Sequence, residues 1–154
     1  MSEAKNTDVE PSSIIRDIIV KEEFVKPNRR VFIIDRSKIR EAISRLVKAY
    51  GETSIYISTI AGVDRIEQGL MELNYFISVL PRREIIVLRV QIPRAQPVID
   101  TLIDIIPGVF AGESETFDLL GIQFNGNSFI KRGFFVPEDV TNKGVYPLRK
   151  DAKW

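Results

Sequence analysis

The chain reads as an α+β domain: a small, mostly antiparallel sheet of three to four strands, backed by helices on one face, with an extended C-terminal arm. Three patterns point there. Ile39 to Tyr50 repeats apolar residues at helical spacing. Between Ser54 and Ile92 lie three segments of strand length rich in β-branched and aromatic residues. Beyond Gly121 neither period persists, and Gly133, Pro137, Gly144 and Pro147 punctuate the remainder.

Taken in order, residues 1–10 lack apolar periodicity and are expected to be disordered. They are polar and acidic, so they do not read as a signal peptide. Residues 11–122 are assigned to the domain and residues 123–154 to the arm. Ser12 or Ser13, beside Pro11, reads as a helix N-cap; Ile14, Ile15, Ile18 and Ile19 then share a helical face until Pro27-Asn28. Arg30 to Ile34 is a short β-rich run. Asp35 or Ser37 caps the next helix, in which Ile39, Ile43, Leu46, Val47 and Tyr50 line one face and which Gly51 closes.

Ser54 to Ile60, Leu73 to Val79 and Glu84 to Ile92 are the strand candidates, the last two joined by a hairpin loop at Leu80 to Arg83. Ala61 to Leu70, with Gly62, Asp64 and Gly69, reads as a longer excursion. Past Pro93, Val98, Leu102 and Ile105 or Ile106 share a helical face. Glu113 to Leu120 is a second short helix closed by Gly121, and Asn125-Gly126 signals a turn.

Composition narrows the function. The 154 residues hold 22 basic and 21 acidic side chains, a net charge of +1 that gives no electrostatic reason to expect nucleic-acid binding. Cysteine and histidine are absent. Thiolate metal sites, iron–sulfur ligation by this chain, disulfides and Cys or Ser–His nucleophiles are therefore excluded, along with the commonest general base. No apolar run approaches the roughly 20 residues needed to span a bilayer. The isoleucine-rich, cysteine-free composition leans towards a thermophile.

The densest polar feature beside an apolar element is Glu113, Glu115 and Asp118, of which the last two stand at helical i, i+3 spacing. Four readings stand open: an acid/base pair, a hard-cation site for Mg²⁺, acidic residues favoured by a helix N-terminus, or a salt bridge to Lys131 or Arg132. Lys26/Arg29/Arg30 and Arg82/Arg83 read as solvated surface. Lys131/Arg132 and Arg149/Lys150, in the arm, read as partner contacts. No glycine pattern forms a phosphate loop. Trp154 is either a frayed terminus or an anchor in a neighbour's pocket.

Glu113 to Gly126, ESETFDLLGIQFNG, resembles the E-R-E-x-x-D-[LM]-[LFY]-G-[IV]-x-F-x-G signature of the 30 kDa subunit of respiratory complex I (NADH:quinone oxidoreductase), a family shared with archaeal membrane-bound hydrogenases and sulfane reductase-type complexes. Val136-Pro137-Glu138-Asp139-Val140 is similar to its P-E-D-[WFY] step, and Tyr146 to Asp151 to its closing H-P-L-R-K-D. Gly62-Val63-Asp64, Tyr75 and Asp104 to Pro107 follow the family order. Ser114 replaces the arginine of E-R-E and Tyr146 the common histidine, as in a divergent, hydrogenase- or sulfur-reductase-type branch.

The resemblance implies a scaffold subunit without catalytic residues, metal or cofactor of its own, on the cytoplasmic face of the membrane. The complex would translocate ions. Iron–sulfur clusters, and a Ni–Fe centre where one exists, would belong to partners: a hydrogenase-like large subunit and an iron–sulfur small subunit. Glu113, Glu115, Asp118, Lys131 and Arg132 then become interface or scaffold residues, and Pro147, Leu148, Arg149, Lys150 and Asp151 a docking strip. The rival expectation is a free-standing Mg²⁺-dependent enzyme using Glu113, Glu115 and Asp118.

Overall fold

The computed structural model describes residues 8–153; the expectations for residues 1–7 and for Trp154 lie outside the described residues. Its elements are α1 (Pro11–Ile14), β1 (Ile19–Val25), β2 (Arg29–Ile34), α2 (Ile39–Tyr50), β3 (Ile55–Arg65), β4 (Leu70–Val79), β5 (Glu84–Pro93), β6 (Val98–Asp100), α3 (Phe110–Leu120), β7 (Gln123–Asn125) and α4 (Glu138–Thr141). Five strands, ordered β1-β2-β5-β4-β3, form the main sheet, and only β2–β5 is parallel. The α+β class stands, but the sheet has five strands rather than three to four.

The extra strand is β1, in a segment whose isoleucines suggest a helix. Helix survives there for one turn, Pro11–Ile14. From Ile19 onward the β-branched and aromatic residues fit a pleated surface better than a helix. Phe24 pairs with Arg30, Val25 with Arg29, and the Arg30 guanidinium reaches Glu22 at 3.2 Å. The strand therefore rests on a partner across the turn, which no local period reports.

Two other segments also differ from expectation. Residues expected to form an excursion continue β3 as far as Arg65, paired with Leu70 across a tight turn closed by Gly69 at φ +67°. Residues expected to extend a helix from Val98 instead form β6, which pairs in parallel with β7. Turns follow, held to α2 by Arg40, whose two terminal nitrogens each lie 2.7 Å from an Asp104 oxygen. Elsewhere the expected elements are present: α2 closes at Gly51, Asp35 accepts from the Ser37 amide at 2.9 Å, and β4 and β5 form the hairpin.

The core lies between one face of the sheet and the helices. Phe32, Leu46, Tyr75, Ile77 and Leu88 are fully buried there, each aliphatic side chain contributing roughly 1.5–3 kcal/mol. Helix α3 presses so closely on β3 that a Cβ at Gly62 would collide with Leu120 Cδ1. A side chain at 62 would therefore require the Leu120 methyl to give way. The cations Arg30 and Arg82, expected on solvated surface, are instead partly covered, both pairing with Glu10 and Glu84.

Candidate partner-docking arm and its anchors

Helix α3 places its two outer motif carboxylates on separate tasks. Glu113, in the first turn and fully buried, accepts from Thr101 Oγ1 at 2.6 Å, from the Leu102 amide at 2.8 Å and from Asn127 Nδ2 at 2.8 Å. It fastens the turn after β6 and the first loop of the arm to the helix. Burial pushes its carboxyl above the ordinary range, and the three donors offset that only in part.

Asp118, further along the helix and also fully buried, accepts from the amides of Gly133, Phe135 and Val136 at 3.0, 2.7 and 2.7 Å. Burial raises its carboxyl, but these amides and the nearby Arg132 outweigh that and hold it below the ordinary value. Arg132 Nε lies 3.1 Å from Asp118 Oδ1, which is the salt-bridge reading among the four left open for this cluster. The Arg132 guanidinium also donates to the Val145 carbonyl and sits 4.1 Å over the Tyr146 ring.

Glu115 and Asp118 do not form a pair. Glu115 is half-buried and makes no ion pair among the described residues, while Asp118 is turned to the arm. The three carboxylates converge on no shared point, and among the described residues no group of three or more Asp, Glu, His or Cys is arranged to hold a metal. The Mg²⁺-enzyme alternative finds no support in this geometry. Lys131 is exposed.

A second fastening lies at the arm's far end. The Leu148 amide donates to the Leu119 carbonyl at 2.9 Å, and the Lys150 amide to Asp64 Oδ2 at 2.8 Å. Asp64 is gripped from the other side by Arg94, whose nitrogens stand 2.7 and 2.9 Å from its two oxygens. Arg94 extends the grip to Asp151 at 2.8 Å, which Arg149 shares at 3.1 Å. Hydrogen bonding from Arg94 is the largest cause holding both Asp64 and Asp151 below the ordinary carboxylate range. Pro147 is half-buried against the body, whereas Leu148 is 56% exposed.

Tyr146 locks the region together, its ring edge-on to Phe117 and only 3.1 Å from where a Gly121 Cβ would stand. Glycine at 121 also holds φ +76° to close α3. Three stretches distant in sequence, Gly62 to Asp64, Glu113 to Gly121 and Tyr146 to Asp151, are therefore one structural assembly.

Arg94 and Asn127 carry no signal in the sequence; an isolated arginine after a strand and an asparagine after a turn are ordinary. A readable signal does exist at Phe129, Phe134 and Phe135, large apolar residues in a stretch without period. They are 66%, 45% and 55% exposed, with Phe134 packed edge-on to Phe110 and Phe135.

The fold is shared with a chain of the membrane-bound sulfane sulfur reductase, an archaeal respiratory membrane complex: the match covers 92% of this chain and 82% of that one, with a TM-score of 0.76 at 21% identity. A subunit of the NADH-quinone oxidoreductase of Moorella thermoacetica is 30% identical over 98 residues, 64% of each chain. A subunit of the F(420)H(2) dehydrogenase of Methanosarcina mazei is 28% identical over 96 residues, 62% of this chain and 59% of that one. The beta subunit of the membrane-bound hydrogenase of Pyrococcus furiosus is 38% identical over 64 residues, 42% of this chain and 36% of that one. The chain thus matches less than two thirds of the length of these curated relatives.

The relatives are named as subunits of oxidoreductase complexes. The chain belongs to the family described as respiratory-chain NADH dehydrogenase, 30 Kd subunit, which matches residues 32–154. No helix among the described residues is long and apolar enough to cross a membrane.

Proposed function

We propose that this chain is a non-catalytic scaffold subunit in the cytoplasmic peripheral arm of a membrane-bound, ion-translocating oxidoreductase of hydrogenase or sulfur-reductase type. Its C-terminal arm lies along a hydrogenase-like large subunit, beside an iron–sulfur small subunit. The redox centres, iron–sulfur clusters and any Ni–Fe site, are held by those partners.

One observation carries the reading. Buried Asp118 and Asp64 fix the arm's backbone while Phe129, Phe134, Phe135 and Leu148 stay at least 45% exposed along it. A chain that spends buried carboxylates to hold apolar residues outward presents the core of an interface. In this reading Glu113 and Asp118 act on the partner indirectly, through the segment they shape. Glu115, Lys131, Arg132 and the Pro147–Asp151 strip form its polar rim.

The test is extraction of native membranes in mild detergent, purification through this chain, and mass spectrometry of what accompanies it. A hydrogenase-like large subunit, an iron–sulfur subunit and antiporter-like membrane proteins are the expected companions. Recovery of the chain alone would overturn the reading.

A further inference from the structure

The face of the main sheet turned away from the helices carries a second surface, remote in kind from the arm. Strand register places Glu23, Val31, Val87 and Phe76 in one row, and Ile33, Arg89, Asn74 and Ala61 in the next. Directly paired residues share a face of the sheet. Their sequence neighbours Phe32, Leu88 and Ile77 point into the core. This outer face is therefore separate from the helix-covered one, and it forms a groove of about 430 Å³ lined only by the strands and the turn at Lys26 and Pro27.

The groove is apolar along its floor and positive at its ends. Val31 and Val87 are each 2% exposed, and Phe76 and Val63 are half-buried beside them. Its charged lining is Lys26, Arg29, Arg65 and Arg89 against one carboxylate, Glu72. Arg89 is already matched by Glu23 at 3.0 Å, Glu72 at 3.4 Å and the Asn74 side-chain carbonyl oxygen at 2.8 Å. Arg65 reaches the same Glu72 only at 3.5 Å. Lys26 and Arg29 make no ion pair among the described residues, and Arg29 lies 5.4 Å over the Phe76 ring. The positive charge is unbalanced where the apolar floor begins.

We infer that this groove docks an acidic segment of another subunit of the same complex, an inference that rests on the scaffold reading above. An apolar side chain of that segment packs on the half-buried Phe76, Val63 and Ala61, above the covered Val31 and Val87. A carboxylate beside it meets Arg29 and Lys26. Charge complementarity selects this occupant over a second copy of the chain, which would set cation against cation across a shared groove. A chain contributing two docking faces at once, arm and groove, joins neighbours that do not otherwise need to touch.

The experiment uses the full chain in its native complex, with the photo-crosslinking amino acid p-benzoylphenylalanine at position 76. Illumination followed by peptide mass spectrometry is expected to join position 76 to a segment of another subunit carrying Asp or Glu within a few residues. In an Arg29→Glu background the yield should fall about tenfold, the scale of an interfacial charge contact turned repulsive. Lys26→Glu, on the exposed turn, provides the same reversal where Arg29→Glu disturbs folding, judged by its circular dichroism melt. A cross-link to a second copy, to lipid or to a basic segment would overturn the inference, as would a yield indifferent to both reversals. The two levels fail separately. A chain that co-purifies with its complex without cross-linking loses the groove alone, and a chain recovered without companions loses both.

Discussion

The body and the C-terminal arm of this protein are held by opposite kinds of force. In the body, residues such as Phe32, Leu46 and Leu88 are wholly buried, and stability is spread over many apolar contacts of similar worth. Among the described residues beyond β7 the arm has one short helix, α4, and buries few large side chains, Val136 among them. It is held by Asp118 and Asp64, with Glu113 at its base. Diffuse cohesion tolerates the loss of any one contact partially, whereas a few directional contacts fail singly. An arm anchored this way has a defined path while Phe129, Phe134, Phe135 and Leu148 stay exposed along it.

The largest expected effect tests the body's half of that contrast. Leu46→Ala, in the middle of α2, should cost about 3 kcal/mol of unfolding free energy through lost transfer energy and a residual cavity, read by chemical denaturation. Body and arm should lose protection together, because the arm's anchors are seated on the body. If the arm alone loosened, the contrast would be wrong.

Asp118→Ala tests the other half. It strands three amides and Arg132, and should weaken the arm by about 2–3 kcal/mol. Hydrogen exchange is the measurement: residues 133–136 should lose protection while β4 and β5 keep theirs. Equal loss in both regions would make arm and body one cooperative unit.

Acid acts more gently and on single groups in opposite senses: Glu113 is raised, whereas the arm's anchors are lowered, as are Asp17, Asp35 and Asp104 in the body. Burial raises Glu113 above 4.5, so its charged form costs stability near neutrality, and that cost is relieved as pH falls through the raised value. Asp118, Asp64 and Asp151 are held below 3.8; their contribution is complete above that value and fades as pH falls through the depressed ones. The body's melting temperature should therefore hold or rise slightly from pH 7 to about pH 5, and the arm's exchange protection should begin to fall only below about pH 4. Glu113→Gln should flatten the first trend and leave the second.

The smallest effect is expected at Asp151→Asn. Asp151 is exposed, so solvent screens its pair with Arg94, and no more than about 0.5 kcal/mol should be lost. Exchange at Lys150 should barely change, since its amide bonds to Asp64 rather than Asp151. A large effect here would mean that charge at the arm's tip, rather than buried acceptors, holds the strip in place.

Much of the architecture is legible where the signal is local. Helix α2 can be read from Ile39, Ile43, Leu46 and Tyr50, and the β4–β5 hairpin from alternation flanking Leu80 to Arg83, because periodicity reports which side of an element faces a core. β1 escapes that reading because Ile14, Ile15, Ile18 and Ile19 satisfy a helical spacing, although their β-branched successors favour a strand once Arg29 to Ile34 lies alongside. β6 escapes it for the same reason: its partner, β7, is more than twenty residues away.

Family membership also belongs to the sequence, carried by ESETFDLLGIQFNG and YPLRKD. So does the absence of cysteine and histidine, which no folding can alter. The division of labour among the motif residues belongs to the tertiary structure. Only there does Glu113 turn to Thr101 and Asn127 while Asp118, five residues along one helix, turns to Gly133, Phe135 and Val136. Only there do Arg94 and Asp64 meet Asp151 and the Lys150 amide. A sequence lists which groups can accept a hydrogen bond. Which donor reaches them depends on how a distant backbone is brought back, and that is settled by packing across the whole chain.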